Sequence, residues 1–235
     1  MASTAKTLAT LGAALVLAAC SASPPPQLIV DEALADGDVY EVTGLSSRRW
    51  GQPLRFGSFA TRETRVGESW SWSAGLFDTT AGVRTEPYRF VLVGERGAEW
   101  HVECRARTPM MRHLDGDGGS TEVDLGPTRL GCALRGDGDA VSSLSLVGTG
   151  LEFTGGARFG DEELAIRGLH QVADREGRPR RIPAVLGYEI RAGERVVGSV
   201  DTLGDGRVYL APGLTPEQRD RIAATAAVLL FFGEA

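Results

Sequence analysis

"LTPEQRDRIAATAAVLLFFG", residues 214–233, decides how the rest of the chain must be arranged. Thr215 stands where a helix N-cap belongs, Pro216 in the first turn, and Gln218 at the third position of a capping box. Gly233 fits the C-terminal stop. A helix over residues 216–232 is therefore expected. Its first half is polar, but from Ile222 to Phe232 only Thr225 is not apolar. A helix that is apolar on all sides has to be surrounded by protein or by lipid. Those eleven residues would span ~16 Å, about half of a bilayer's hydrocarbon core. Protein is the better host. A sheet curled round the helix would cover every side of it. The alternatives are a β-sandwich with the helix buried against one sheet, or a helix held at an interface with a partner.

The rest of the chain supplies such a sheet. Residues 39–45, 70–77, 87–94, 100–106, 128–135, 142–148, 186–192, 194–200 and 206–210 are short segments rich in β-formers. Residues 87–106 read as a hairpin. Asp137-Gly138, Ala192-Gly193 and Asp205-Gly206 have the composition of tight turns. Segment 159–173 is ambiguous between strand and helix, and 113–122 reads as an exposed loop. Many short strands with Gly-rich turns predict a mainly β fold, an antiparallel barrel or sandwich, with one buried C-terminal helix.

Residues 186–232, "GYEIRAGERVVGSVDTLGDGRVYLAP" followed by the apolar helix, resemble the tubby-like and scramblase-like barrels. The resemblance covers about a fifth of the chain. It implies a β-barrel enclosing its own C-terminal helix, and a lipid-handling or lipid-sensing role. It carries no catalytic or ligand residue onto this sequence.

The amino terminus has a different character. Residues 1–7 hold one positive charge, Lys6, and no acid, and residues 8–19 are uncharged. That is the pattern of a secretory signal peptide. Leu17-Ala18-Ala19-Cys20 resembles the lipobox of bacterial lipoproteins. The resemblance implies acylation of the Cys20 thiol, cleavage between Ala19 and Cys20, and anchoring to a membrane of the cell envelope. Ser21 in place of Asp points to the outer membrane rather than the inner one under enteric-type sorting. A soluble secreted protein cut elsewhere is the alternative. Residues 20–27, with Pro24 to Pro26, read as a lipidated tether, and residues 28–235 as one domain.

The whole chain has 25 Lys and Arg against 31 Asp and Glu. Removal of residues 1–19 takes one Lys and no acid, leaving a net charge of −7. That balance argues against a nucleic-acid partner, and no run of basic residues suggests an anionic-lipid patch. Anchoring is expected to rest on acyl chains, each buried CH₂ contributing ~0.8 kcal/mol. Partners beyond the membrane would be an envelope protein or a lipid.

Three cysteines are an odd number for an exported chain. Lipidation of Cys20 leaves Cys104 and Cys132. On strands, Cys104 shares an apolar face with Trp100, Val102 and Ala106, and Cys132 shares one with Leu130 and Leu134. Both therefore point inward, as a disulfide requires. Two buried free thiols are the alternative.

No motif for chemistry emerges. His101 and Cys104 diverge on their strand and cannot share a metal. Residues 115–126 lack the Gly and Glu positions of an EF-hand. There is no G-x-S-x-G elbow, and His101, His113 and His170 are scattered. Asp161, Glu162 and Glu163 read as a solvated turn, and Arg135 to Asp137 as a chance RGD. No cofactor, metal or catalytic residue is expected, and a binding or structural module is expected ahead of an enzyme.

Overall fold

The structure, a computed structural model, describes residues 27–45, 52–72, 75, 78–114, 119–136, 141–174 and 176–232. The chain forms β1 (Gln27–Leu28), a 3₁₀ turn (Glu32–Leu34), β2 (Asp38–Thr43), β3 (Arg55–Phe56), β4 (Phe59–Val66) and β5 (Ser69–Trp72). Two long strands follow, β6 (Thr79–Val93) and β7 (Glu99–Leu114), then β8 (Ser120–Asp124) and β9 (Thr128–Arg135). Next come β10 (Val141–Thr149), β11 (Glu152–Phe159), β12 (Glu162–Leu169), β13 (Gln171–Ala173) and β14 (Pro179–Arg181). The chain ends with β15 (Gly187–Ala192), β16 (Arg195–Asp201), β17 (Arg207–Leu210) and helix α1 (Pro216–Phe232).

One antiparallel sheet of fourteen strands runs in the order β5, β6, β4, β3, β2, β17, β16, β15, β12, β11, β10, β9, β7, β8. β6 also pairs with β7 along its whole length. That extra pairing closes the sheet on itself. With β5 and β8 left outside the ring, twelve strands form a closed barrel. The fold is thus mainly β, and it is a barrel rather than a sandwich. Segment 159–173 is strand and turn, not helix.

Helix α1 fills the barrel. Phe231 stacks on Tyr88 and Phe90 of β6, with centroids 5.8 and 4.7 Å apart. Phe232 meets Phe153 of β11 edge-on at 5.1 Å and lies 6.5 Å from Tyr188 of β15. Strands β6 and β15 stand on opposite sides of the ring, so the helix that touches both occupies the lumen. Ala223 to Leu230 have no exposed surface. The alanines keep the helix thin where strands press closest. At Gly198 a Cβ would come within 2.8 Å of Ile222 Cγ2, so β16 needs glycine there. The Tyr88 hydroxyl donates to the Val228 carbonyl at 3.2 Å.

The capping box forms as expected. The Gln218 amide donates to Thr215 Oγ1 at 3.3 Å, and the Thr215 amide donates to Gln218 Oε1 at 3.0 Å. No described helix is long and apolar enough to cross a membrane. The barrel is also inverted relative to one that spans a bilayer. Its lumen is apolar, and its outer face carries Arg89, Glu103, Ser143, Arg158, Glu163 and Arg167.

Cys104 and Cys132 are bonded to each other and lie opposite in register on β7 and β9, with Cα atoms 4.1 Å apart. Both side chains face the lumen, as their alternation requires.

Two smaller features decorate this body. Outside the barrel, β1, β13 and β14 form a three-stranded sheet. Leu28 packs on β15, where a Cβ at Gly187 would come within 2.5 Å of Leu28 Cδ2. The nearby Asp201, 2 % exposed, accepts from the Leu203 amide at 2.9 Å, and burial raises its pKa. The second feature is a ribbon. β6 and β7 run on beyond the barrel, flanked by β5 on one side and β8 on the other. Sequence patterning missed the start of β6 and ended β7 at Ala106 rather than Leu114. Of the expected loop 113–122, residues 113–114 belong to β7 and 120–122 to β8, because they pair with each other across the ribbon.

Candidate functional site

The two ends of the barrel differ. At the end where α1 enters, the side chains form ion pairs. Arg219 donates to Asp38 at 2.6 Å, to the Tyr40 hydroxyl at 2.6 Å and to Glu95 at 3.0 Å. Arg96 pairs with Glu217 at 2.7 Å, and Arg221 pairs with Glu162. The hydrogen bond from Arg96 holds the Glu217 carboxyl below its ordinary pKa. These bonds tie the first turns of α1 to β2, to the β6–β7 turn and to β12.

Between them lies a cleft of about 440 Å³. One wall is aromatic. Trp100 and Phe159 meet edge-on at 5.4 Å, and Gly136 lies under the Trp100 ring. The other wall is charged, with Arg96, Glu217, Asp220 and Arg221. Asp220 is 7 % exposed, and burial raises its pKa. Its Oδ1 lies where a Cβ at Gly94 would stand, 2.5 Å away, so the turn must carry glycine. The cations of this rim each have a carboxylate partner. The cleft therefore offers an amphipathic surface rather than a net charge, and it suits a ligand with one apolar and one polar side.

The residues singled out in the sequence fall elsewhere. Cys20 lies outside the described residues, as do Gly233, Asp137 and residues 115–118. Cys104 and Cys132 are a structural pair inside the barrel. His101 is exposed on the outer face of β7, and His113 shares a 3.0 Å hydrogen bond with Thr79 Oγ1 in the ribbon. His170 Nδ1 lies 2.9 Å from the Ala184 carbonyl. Of the acidic turn, Glu162 pairs with Arg221 and Glu163 with Arg158, so these are ion-pairing residues at the barrel end. No group of three or more His, Cys, Asp or Glu able to hold a metal occurs among the described residues.

The cleft residues Arg96, Trp100, Phe159 and Asp220 were not marked as a site by the sequence. The polar first half of α1 was the available signal, because the polar end of an enclosed helix has to emerge at a rim. Comparison of the chain with protein families, curated proteins and solved structures finds no match.

Proposed function

We propose that this chain is a membrane-anchored lipoprotein of a bacterial cell envelope, acylated at Cys20. Its barrel acts as a non-enzymatic binding or structural module. The observation that carries the second half is the occupied lumen. A barrel filled by its own helix, with residues 222–232 buried, presents its outer surface and rims to partners rather than an interior chamber. The anchoring half rests on residues 1–20. Mass spectrometry of the mature protein tests it: acylated Cys20 at the amino terminus is the expected result. An unmodified terminus beginning elsewhere contradicts it. Ser21 supports residence at the outer membrane.

A second reading, a lipid-handling module of tubby-like architecture, is favoured by a specific observation. A closed twelve-stranded barrel around a C-terminal helix has the form that the resemblance over residues 186–232 implies. The rim cleft beside Trp100 has the mixed character a lipid headgroup and its glycerol need. Native mass spectrometry of the purified protein distinguishes the readings. Co-purified lipid that Trp100→Ala releases supports the lipid-handling role, and a lipid-free protein supports the plain module.

A further inference from the structure

The chain is acidic, yet one face of it is not. On the outer surface of β4, β6, β7 and β9 the register sets Arg65 directly opposite Arg89, and Arg107 directly opposite Arg129. Arg105 lies two residues from Arg107 on the same face. All five are exposed, and none forms an ion pair with a described residue. Like charges set directly opposite on a sheet destabilise it. Many other arginines are paired, among them Arg62, Arg96, Arg112, Arg158, Arg167, Arg191, Arg207, Arg219 and Arg221. Arg55, Arg135, Arg180, Arg181 and Arg195 are exposed without an ion pair to a described residue, but the stripe alone sets arginine opposite arginine in register. The acids bordering the stripe are Glu103, opposite Arg89, and Glu63 on β4.

The stripe continues into apolar surface. Along β7 the outward residues run Arg105, Arg107, Pro109, Met111, His113. In the ribbon, Pro109 and Met111 face Val83 and Ala81 of β6, and Met111 faces Val123 of β8. Leu125 joins them through its amide, which donates to the Pro109 carbonyl at 2.9 Å. Val123 and Leu125 are 49 % and 55 % exposed. Beyond Arg105, the outward positions of the four ribbon strands carry no carboxylate: Ser69 and Ser71, Thr79 to Pro87, Arg107 to His113, and Thr121 and Val123.

We propose that this face docks on an anionic bilayer surface. The apolar patch enters the interfacial layer, and Arg65, Arg89, Arg105, Arg107 and Arg129 take lipid phosphates. Two features favour a bilayer over a second copy of the chain. A self-complementary contact with its twofold axis through the stripe would set arginine against arginine. The path of the chain also agrees. Gln27, where the tether ends, pairs with β13 beside the Leu169–Gly187 end of the barrel, and the ribbon projects from that same end. An acyl anchor at Cys20 would therefore bring the ribbon toward the membrane rather than away from it. The seven residues from Cys20 to Gln27 reach about 22 Å in an extended polyproline path.

The test uses the full chain with Cys20→Ser, which removes any acyl anchor. It is mixed with vesicles of phosphatidylcholine alone, or of equal parts phosphatidylcholine and phosphatidylglycerol. Co-sedimentation with the anionic vesicles only, weakened by added salt, is expected. Arg105→Gln, Arg107→Gln and Arg129→Gln together should weaken that partition on the order of 100-fold, about fivefold for each arginine. Val123→Ser with Leu125→Ser should weaken it at every salt concentration. Arg158→Gln with Arg195→Gln, at the far end of the barrel, should leave it unchanged. Equal unfolding curves verify that each variant is folded. No binding, equal binding to both vesicles, or binding indifferent to the three glutamines overturns the proposal. So does a vesicle-free dimer that the serine pair abolishes, which assigns the face to a second copy. Because Cys20 is replaced, failure here leaves the acyl-anchor reading standing, and an unacylated native terminus leaves this one standing.

Discussion

β6 and β7 pass through two environments, and the contrast separates what folds this protein from what it can offer a partner. Between Tyr88 and Arg107 they are barrel staves, with β4 and β9 as outer neighbours and α1 across the lumen. Their inward residues Tyr88, Phe90, Leu92, Val102 and Cys104 are core. Beyond Tyr88 and Arg107 the same strands form a ribbon with free edges at β5 and β8. There Trp70 and Trp72 stack at 5.7 Å, with the Arg112 guanidinium 4.1 Å from the Trp72 ring and paired to Glu122. The barrel is held by a large buried core, the ribbon by cross-strand pairs and a small buried patch at Thr108 and Met110. Burial contributes far more per residue than such pairs do.

The largest expected effect breaks the barrel alone. Phe231→Ala removes the ring packed on Tyr88 and Phe90 and should cost about 3–5 kcal/mol in denaturant unfolding. A comparable truncation on the ribbon, Leu125→Ala, should stay within about 0.5 kcal/mol. Next comes the bond between β7 and β9. Cys104→Ala with Cys132→Ala should lower stability by about 3.6 kcal/mol, from the restriction a 28-residue separation places on the unfolded chain. That measurement needs the pair of variants, since one alone leaves a free thiol. The smallest effect sits where β1 meets the barrel. Burial raises the Asp201 pKa in the folded state. Its stabilising contribution is therefore fully present below the unfolded carboxylate value, near 3.9, and is lost as pH rises through the raised value. Asp201→Asn, which keeps an acceptor for the Leu203 amide, should raise the melting temperature at neutral pH and leave it unchanged in acid.

The same division decides what could be read in the sequence. Residues 128–135 were legible as β9 to the residue, because Leu130, Cys132 and Leu134 alternate toward a core. The inward turn of Cys104 followed from the same alternation, and the capping box and apolar half of α1 were plain. β6 was expected only from Pro87, because residues 79–86, "TTAGVRTE", show no apolar alternation. They are strand through pairing with β7 along their whole length and with β5 from Gly82 to Thr85, and they lie outside the main core. β11 was hidden by Gly155 and Gly156 in its middle. The rim cleft joins the β6–β7 turn, β7, β11 and α1, so no local spacing could signal it. The arginine stripe is the clearest case. Its five arginines form no run in the sequence, yet β4, β6, β7 and β9 bring them to one surface.

Native-state hydrogen exchange tests the central claim, an enclosed helix and a ribbon that opens independently. Amides of α1 from Ile222 to Phe232 and of β7 from Val102 to Ala106 should exchange only through global unfolding. Ribbon amides of residues 80–85 and 110–113 should exchange far faster, by local opening. Exchange of the α1 amides as fast as those of the ribbon would contradict the account, since a helix filling a closed barrel cannot open before the barrel does.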